Sequence, residues 1–262
     1  MWNHQRVSVV FPALNEARAI AAAVGAFTAG GIVDEVLVVD NHSTDATAAL
    51  AAAAGARVIH ESRPGYGYAC RRGLRESTGD LIILAEPDGT FRGPDVLKLL
   101  AYADDFQMVL GTRTSRLFVW AGANMGWRLK WGNWAVAKLL QLLFNGPSLT
   151  DVGCSMRLIH RRALRTIQRK FTVGASHFLP EMTTLALLHR VPIVEVPVNY
   201  GPRVGASKIT GRLGAAIRVG LRMIGLILWY RLTHRKIRSV PSRRRWRHHR
   251  RRSARAPVVA QT

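Results

Sequence analysis

LIILAEPDGTF, Leu81–Phe91, is the stretch on which the fold turns. Leu81–Ala85 is a short, unbroken apolar run with two β-branched residues, the pattern of a strand buried on both faces. It then breaks into an acidic turn. Pro87 fixes φ and Gly89 relaxes the chain that follows. Glu86 and Asp88 therefore stand at the carboxyl end of a strand. Pro-Asp-Gly is good turn chemistry by itself, so this stretch gains meaning only if its neighbours repeat it.

They do. VSVVF (Val7–Phe11) runs into PALNE (Pro12–Glu16), and EVLVV (Glu35–Val39) runs into DNHSTD (Asp40–Asp45). RVIHE (Arg57–Glu61) and MVLGT (Met108–Thr112) read as two further strands. Between the strands, Glu16–Phe27, Thr44–Ala54, Tyr66–Ser77 and Gly93–Ala103 carry helical patterns, with Ser43 or Thr44 as a cap for the second. Alternation of this kind predicts an α/β fold with a parallel sheet covered on both faces. Ligands of such sheets bind in the crevice beyond the carboxyl ends of the strands. Asp45 alone would read as a helix cap; three acidic exits on one edge predict a site.

The second half is less regular. Trp127–Phe144 has helical periodicity, and Val191–Val198 reads as a strand. Leu213–Leu232 is a long apolar helix interrupted by Arg218 and Arg222. Its longest charge-free interior, Met223–Tyr230, is eight residues, against the roughly 20 that a bilayer demands. Each interior arginine would add a cost of about 2.5–3.5 kcal/mol on insertion. The helix is therefore expected to lie on a membrane or on the domain. The expected division is a catalytic domain over 1–211, an amphipathic helix over 212–232 and a disordered basic tail over 233–262.

Charge is spread unevenly along the 262 residues. The net charge is +22, yet no Asp or Glu follows Glu195, and that stretch holds 17 Lys and Arg. The body carries the remaining +5. A block of like charge is an arm seeking an anionic partner, either membrane surface or nucleic acid. Trp246, set among the arginines, keeps a nucleic-acid-binding protein as the competing class. The two cysteines, Cys70 and Cys154, are far apart and form no CxxC, which predicts neither zinc nor a disulfide framework. Met1–Arg6 leads straight into the first strand without the pattern of a signal peptide. Both features fit a cytoplasmic protein.

A nucleoside diphosphate needs a hard cation to bridge its oxygens and a carboxylate to hold that cation. Asp88 is the expected metal ligand, and Glu86 is expected near the ribose or a metal-bound water. A dinucleotide oxidoreductase is disfavoured, because PALNEA replaces the glycine-rich turn and PGYGYAC lacks the third glycine.

VVFPALNEA, VLVVDNHSTDAT, RPGYGYACRRGL, LIILAEPDGTF and VLGTR stand in an order and spacing that resemble family 2 glycosyltransferases of the GT-A fold. LTDVGCSMRLI, SHFLPEM and VPVNYGPRVGASKITG resemble its branch of polyprenyl-phosphate (dolichol-phosphate type) mannosyl- and glucosyltransferases. The resemblance runs from about Val7 to Leu232. It implies transfer of a hexose, with inversion, from a UDP- or GDP-sugar to a lipid phosphate at the inner face of the membrane, with Mg²⁺ or Mn²⁺. A soluble acceptor is the alternative within the family. By resemblance, Pro12, Asn15 and Glu16 contact the nucleotide, Asp40 holds base or ribose, and Arg72 lines the nucleotide. Glu86, Pro87 and Asp88 match the DxD motif, with Glu86 one methylene longer than usual. Arg113 faces the phosphates, and Arg203, Ser207 and Lys208 match a loop that closes over diphosphate and acceptor. Asn41 and Thr90 depart from the family's more usual acidic residue and glutamine.

Two further acidic residues are candidates. A phosphate acceptor is already anionic, so Asp151 is expected to orient the acceptor or an arginine; its competing role is a helix cap or an ion pair with Arg157. Glu181 is expected to pair with a loop arginine near the acceptor. Trp120, Trp127, Trp131 and Trp134 are either core residues or a surface facing acceptor or membrane.

Overall fold

The computed structural model describes residues 1–123, 126–205 and 213–234. Seven strands form one sheet: β1 (Val7–Ala13), β2 (Glu35–Asp40), β3 (Arg57–His60), β4 (Leu81–Leu84), β5 (Met108–Thr112), β6 (Arg157–His160) and β7 (Ile193–Pro197). Their order is β3-β2-β1-β4-β6-β5-β7. All neighbours pair in parallel except β6, which runs antiparallel between β4 and β5. The register sets Val10 beside Leu84, and Leu84 beside Arg157.

Side chains alternate through the pleat, so each strand feeds two cores. Val7, Val9 and Phe11 pack with Val36 and Val38 under α1 (Ile20–Thr28), α2 (Thr47–Ala53) and α4 (Val96–Leu100). Val10, Leu37, Val39 and Ile82 pack on the opposite face. There they meet α3 (Tyr66–Glu76), α5 (Trp127–Phe144), α6 (Arg161–Ile167), α7 (Phe178–Leu188) and α8 (Leu213–Thr233). The expected parallel sheet with helices on both faces is thus present, with β6 as its one antiparallel strand among the described residues.

Helix starts differ from expectation for a local reason. Ser43 and Thr44 do not cap α2, which begins only at Thr47 without a side-chain cap. They are turned back to Asn15: its N–H donates to Ser43 Oγ at 3.0 Å, and its Oδ1 accepts from Thr44 N at 2.8 Å. β6 and the two helices that follow it, α6 and α7, are not marked in the sequence. RLIH is only four residues long, begins on Arg157 and runs into Arg161 and Arg162, and its antiparallel insertion breaks the alternation that marks the first half.

Candidate active site

The loops leaving β1 and β2 are stitched together at the carboxyl edge of the sheet. Asn15 sits at φ +57, which an Asn tolerates better than most residues. Its side chain and N–H hold the loop after β2, and Glu16 N donates to Thr47 Oγ1 at 2.8 Å. Pro12 is buried at the end of β1, level with Val39. Asn41 is structural: its amide donates to Arg63 O at 2.8 Å, and its Oδ1 accepts from Gly65 N at 2.7 Å. Asp40 is different. His60 Nδ1 lies 3.1 Å from its Oδ2, while its Oδ1 is buried with no hydrogen-bond partner. A buried acceptor of that kind is costly unless something supplies a donor.

The acidic turn after β4 is the centre of the site. Asp88 is 1% exposed. Thr90 donates to its Oδ1 through N–H at 3.0 Å and Oγ1 at 2.6 Å. Arg203 reaches the other oxygen, with Nη1 2.7 Å from Asp88 Oδ2, and it also grips Glu16 through Nη2. Glu86 Oε2 is 3.9 Å from the same Nη1. One guanidinium thereby joins three carboxylates delivered by two strands. The backbone repeats the join: Val204 N donates to Asp88 O at 2.8 Å, and Gly201 N to Thr90 O at 2.9 Å. Gly89 sits at φ +83, where a Cβ would come within 3.1 Å of Val204 Cγ2. Pro87 is buried beneath the turn. Burial first, and then the charge of Asp88, pushes the Glu86 carboxyl up to about 7, with Arg113 and Arg203 opposing. Its side chain keeps 31% exposure, so solvent in the crevice tempers that burial.

A second charged pair lies beside the turn. Arg113, directly after β5, forks onto Asp151: Nε to Oδ2 at 2.8 Å and Nη2 to Oδ1 at 3.0 Å. Its guanidinium carbon lies 5.0 Å from the centre of the Tyr200 ring. Burial raises the Asp151 pKa, but the charge and hydrogen bonds of Arg113 outweigh it and hold the carboxyl below its usual range. The Asp151 N–H donates to Glu195 Oε1 at 2.9 Å, so β7 fixes the loop that carries Asp151. Glu195 was not foreseen; a lone acid inside the apolar run IVEVP was the available signal. Arg157, the alternative partner for Asp151, instead spends its donors on the carbonyls of Cys154 and Leu179.

Beyond Arg113 a groove of about 610 Å³ opens, lined by Thr114, Lys130, Trp127, Trp131 and Trp134.

Two candidates stand apart. Arg72 pairs with Glu76 one turn along α3, Nε to Oε1 at 3.3 Å. Glu181 does not meet an arginine in any contact among the described residues. It is fully buried and accepts from Thr172 N at 2.9 Å, Val173 N at 3.1 Å and Tyr230 Oη at 3.0 Å. Its place is the anchor of α8, because α7 turns it into the core. Ser207 and Lys208 lie outside the described residues, as does the tail from 235 onward.

Among the described residues no cage of three or more His, Cys, Asp or Glu side chains is set up for a metal. The site nevertheless fits a hard divalent cation. Asp88 and Glu86 already hold the Arg203 cation between them, and such ions take their remaining ligands from phosphate oxygens and water.

A family model described as glycosyl transferase family 2 matches residues 8–168. An uncharacterised glycosyltransferase of Mycobacterium tuberculosis is 34% identical over 213 residues, covering 80% of this chain and 93% of that protein. A dolichyl-phosphate hexose transferase of Haloferax volcanii is 29% identical over 231 residues, covering 86% and 96%. The crystal structure of Mycobacterium tuberculosis glucosyl-3-phosphoglycerate synthase with Mn²⁺, UDP and glucosyl-3-phosphoglycerate superposes with a TM-score of 0.64. That superposition covers 87% of this chain and 80% of the other at 22% identity, a likeness in fold alone. With the model spanning more than half of the sequence and a relative above 30% identity along most of it, the chain belongs to glycosyl transferase family 2.

Proposed function

We propose that this protein transfers a hexose from a UDP-glucose- or GDP-mannose-type donor to a polyprenyl phosphate at the cytoplasmic face of a membrane, with Mg²⁺ or Mn²⁺. The observation that carries the proposal is the junction of Arg203 with Glu16, Glu86 and Asp88 at the strand ends. Carboxylates able to hold a cation, set beside an arginine, suit a metal-bridged diphosphate. When bound, the cation neutralises the diphosphate and steadies the leaving group.

The chain's own residues divide the remaining work. The unsatisfied Oδ1 of Asp40 accepts a donor from ribose or base. Pro12, Asn15 and Arg72 belong to the elements that flank the nucleotide. Asp88 and Glu86 hold the cation. Arg113, oriented by the fork from Asp151, faces phosphate oxygens where charge develops. Asp151 is a positioning residue, since both its oxygens are engaged and its pKa is depressed. No general base is required, because an acceptor phosphate attacks as an anion. Ser207 and Lys208 complete the loop over diphosphate and acceptor.

The lipid acceptor is supported by the Haloferax relative and by the groove of three tryptophans with Arg113 and Lys130. The basic tail adds attraction to an anionic leaflet. No helix of the described residues is long and apolar enough to cross a membrane. A soluble phosphorylated acceptor is the second reading, favoured by the fold neighbour that binds phosphoglycerate compounds. The test is a screen of UDP- and GDP-sugars against a polyprenyl phosphate and 3-phosphoglycerate, with Mg²⁺ or Mn²⁺. Lipid-linked sugar is the expected product; transfer to 3-phosphoglycerate alone would replace the lipid acceptor with a soluble one.

A further inference from the structure

Nine of the 16 large apolar side chains left exposed by the described residues lie on α5 and α8. On α8, Ile217, Leu221, Leu228 and Leu232 form one stripe of helical period, flanked by Trp229. The opposite side of that helix sends Ile227 and Tyr230 into the core. On α5, Trp127, Trp131, Trp134 and Leu142 are outside, while Ala137, Leu140 and Phe144 are buried. The two helices pack on one another. Exposure reaches 69% at Trp127, 64% at Leu221 and 80% at Leu142. A patch of this extent on a protein surface marks something that covers it.

The polar residues around the patch say what. Neither helix contains an Asp or Glu, whereas Lys130, Lys138, Arg218, Arg222 and Arg231 carry positive charge. A symmetric pairing of two copies would bring such like charges together. An anionic bilayer surface offers apolar depth and negative headgroups at once, and it is where Trp is favoured. We infer that α5 and α8 form a two-helix platform seated in the interfacial zone of an anionic bilayer. Trp127, Trp131 and Trp134 also wall the groove that leads to Arg113, so the seated protein opens its site at headgroup level. The platform is distinct from the basic tail: the tail attracts at a distance and is screened by salt, while buried apolar side chains are not. The inference extends the proposed lipid acceptor, but docking is measurable with no acceptor present.

The experiment uses the full chain with vesicles of phosphatidylcholine, with or without phosphatidylglycerol, and no donor or acceptor. Acyl-brominated lipids report insertion by quenching Trp fluorescence. Quenching is expected with anionic vesicles, and it should persist in part at high salt. Leu221→Ser with Leu228→Ser, and separately Trp127→Ser with Trp131→Ser, should each weaken high-salt partitioning about tenfold. All four positions are exposed in the structure, which favours a preserved fold. Leu50→Ser with Leu97→Ser, exposed leucines on α2 and α4, should leave partitioning unchanged. Absence of quenching, or wild-type partitioning by both platform variants at high salt, would overturn the inference. So would a dimer of the wild type that Leu221→Ser dissolves, since the face would then belong to a second copy. Quenching without any lipid glycosylation in the donor screen would keep the platform and remove the lipid acceptor.

Discussion

Arg203 Nη1 lies 2.7 Å from Asp88 Oδ2, on the carboxylate oxygen that Thr90 leaves open. The guanidinium therefore occupies the approach a divalent cation would use, and its own Nε is buried without a partner. If Asp88 holds the cation, that cation and Arg203 compete for it until a diphosphate arrives to receive the arginine. In the absence of nucleotide, Arg203→Ala should bind Mn²⁺ about fivefold more tightly than wild type, the scale of a partly exposed ion pair of about 1 kcal/mol. The same variant should transfer sugar far more slowly. Electron paramagnetic resonance of free Mn²⁺ measures the first effect; weaker metal binding by Arg203→Ala would contradict the competition.

Asp88→Asn preserves the oxygen that accepts from Thr90, removes the charge and puts an amide donor where Oδ2 accepts from Arg203. Transfer is expected to fall about 10²–10³-fold, the scale of losing one electrostatic contact at a reacting centre. Thermal unfolding should barely change, and EDTA should imitate the variant. Glu86→Asp should be milder, because it keeps the carboxylate and shortens the arm. Turnover by Asp88→Asn close to wild type would remove Asp88 as the metal ligand.

Much of this site is legible in the sequence because strand ends are local features. Leu81–Leu84 announces itself by composition, and Glu86 and Asp88 follow within four residues. The contact between Arg203 and Glu16 spans 187 residues, and no periodicity encodes it; only the resemblance of RVGASK to a family loop points there. Glu181 shows the opposite limit. Its sequence context suggests an arginine partner, yet helix α7 turns it inward, where backbone N–H groups satisfy it. β6 is hidden because an antiparallel strand of four residues inserted after a long helix obeys none of the alternation that marks the others.

The Arg113–Asp151 pair predicts an acid limb in the stability profile. The Asp151 pKa is held below its ordinary value of 3.8. A depressed carboxyl stabilises the fold fully above its unfolded pKa, and that stability is lost as pH falls through the folded value. Unfolding free energy should therefore decline below about pH 4 in wild type, with a shallower decline in Asp151→Asn. Arg113→Ala strands a buried carboxylate and should cost about 3–5 kcal/mol. The measurement is denaturant unfolding across the acid range. An unchanged acid limb in Asp151→Asn would show that other carboxylates set it.

Tyr230 Oη donates to Glu181 Oε1 at 3.0 Å and ties α8 to the core. Burial and the adjacent carboxylate push the Tyr230 pKa up, so the phenol remains a donor throughout the neutral range. Tyr230→Phe removes one hydrogen bond to a charged acceptor, with an expected cost of about 1.5–3 kcal/mol. Glu181 keeps Thr172 and Val173, so the loss should fall on α8 and leave the sheet intact. Hydrogen exchange at the α8 amides should quicken about tenfold or more, while the amides of β1 and β4 keep their protection. Glu181→Gln should act the same way more weakly, since its remaining oxygen still accepts. Had Glu181 served the acceptor through a loop arginine, Glu181→Gln would instead lower kcat and leave α8 exchange untouched. The pair of measurements, exchange at α8 and turnover on a soluble acceptor phosphate, separates an anchor from a catalytic partner.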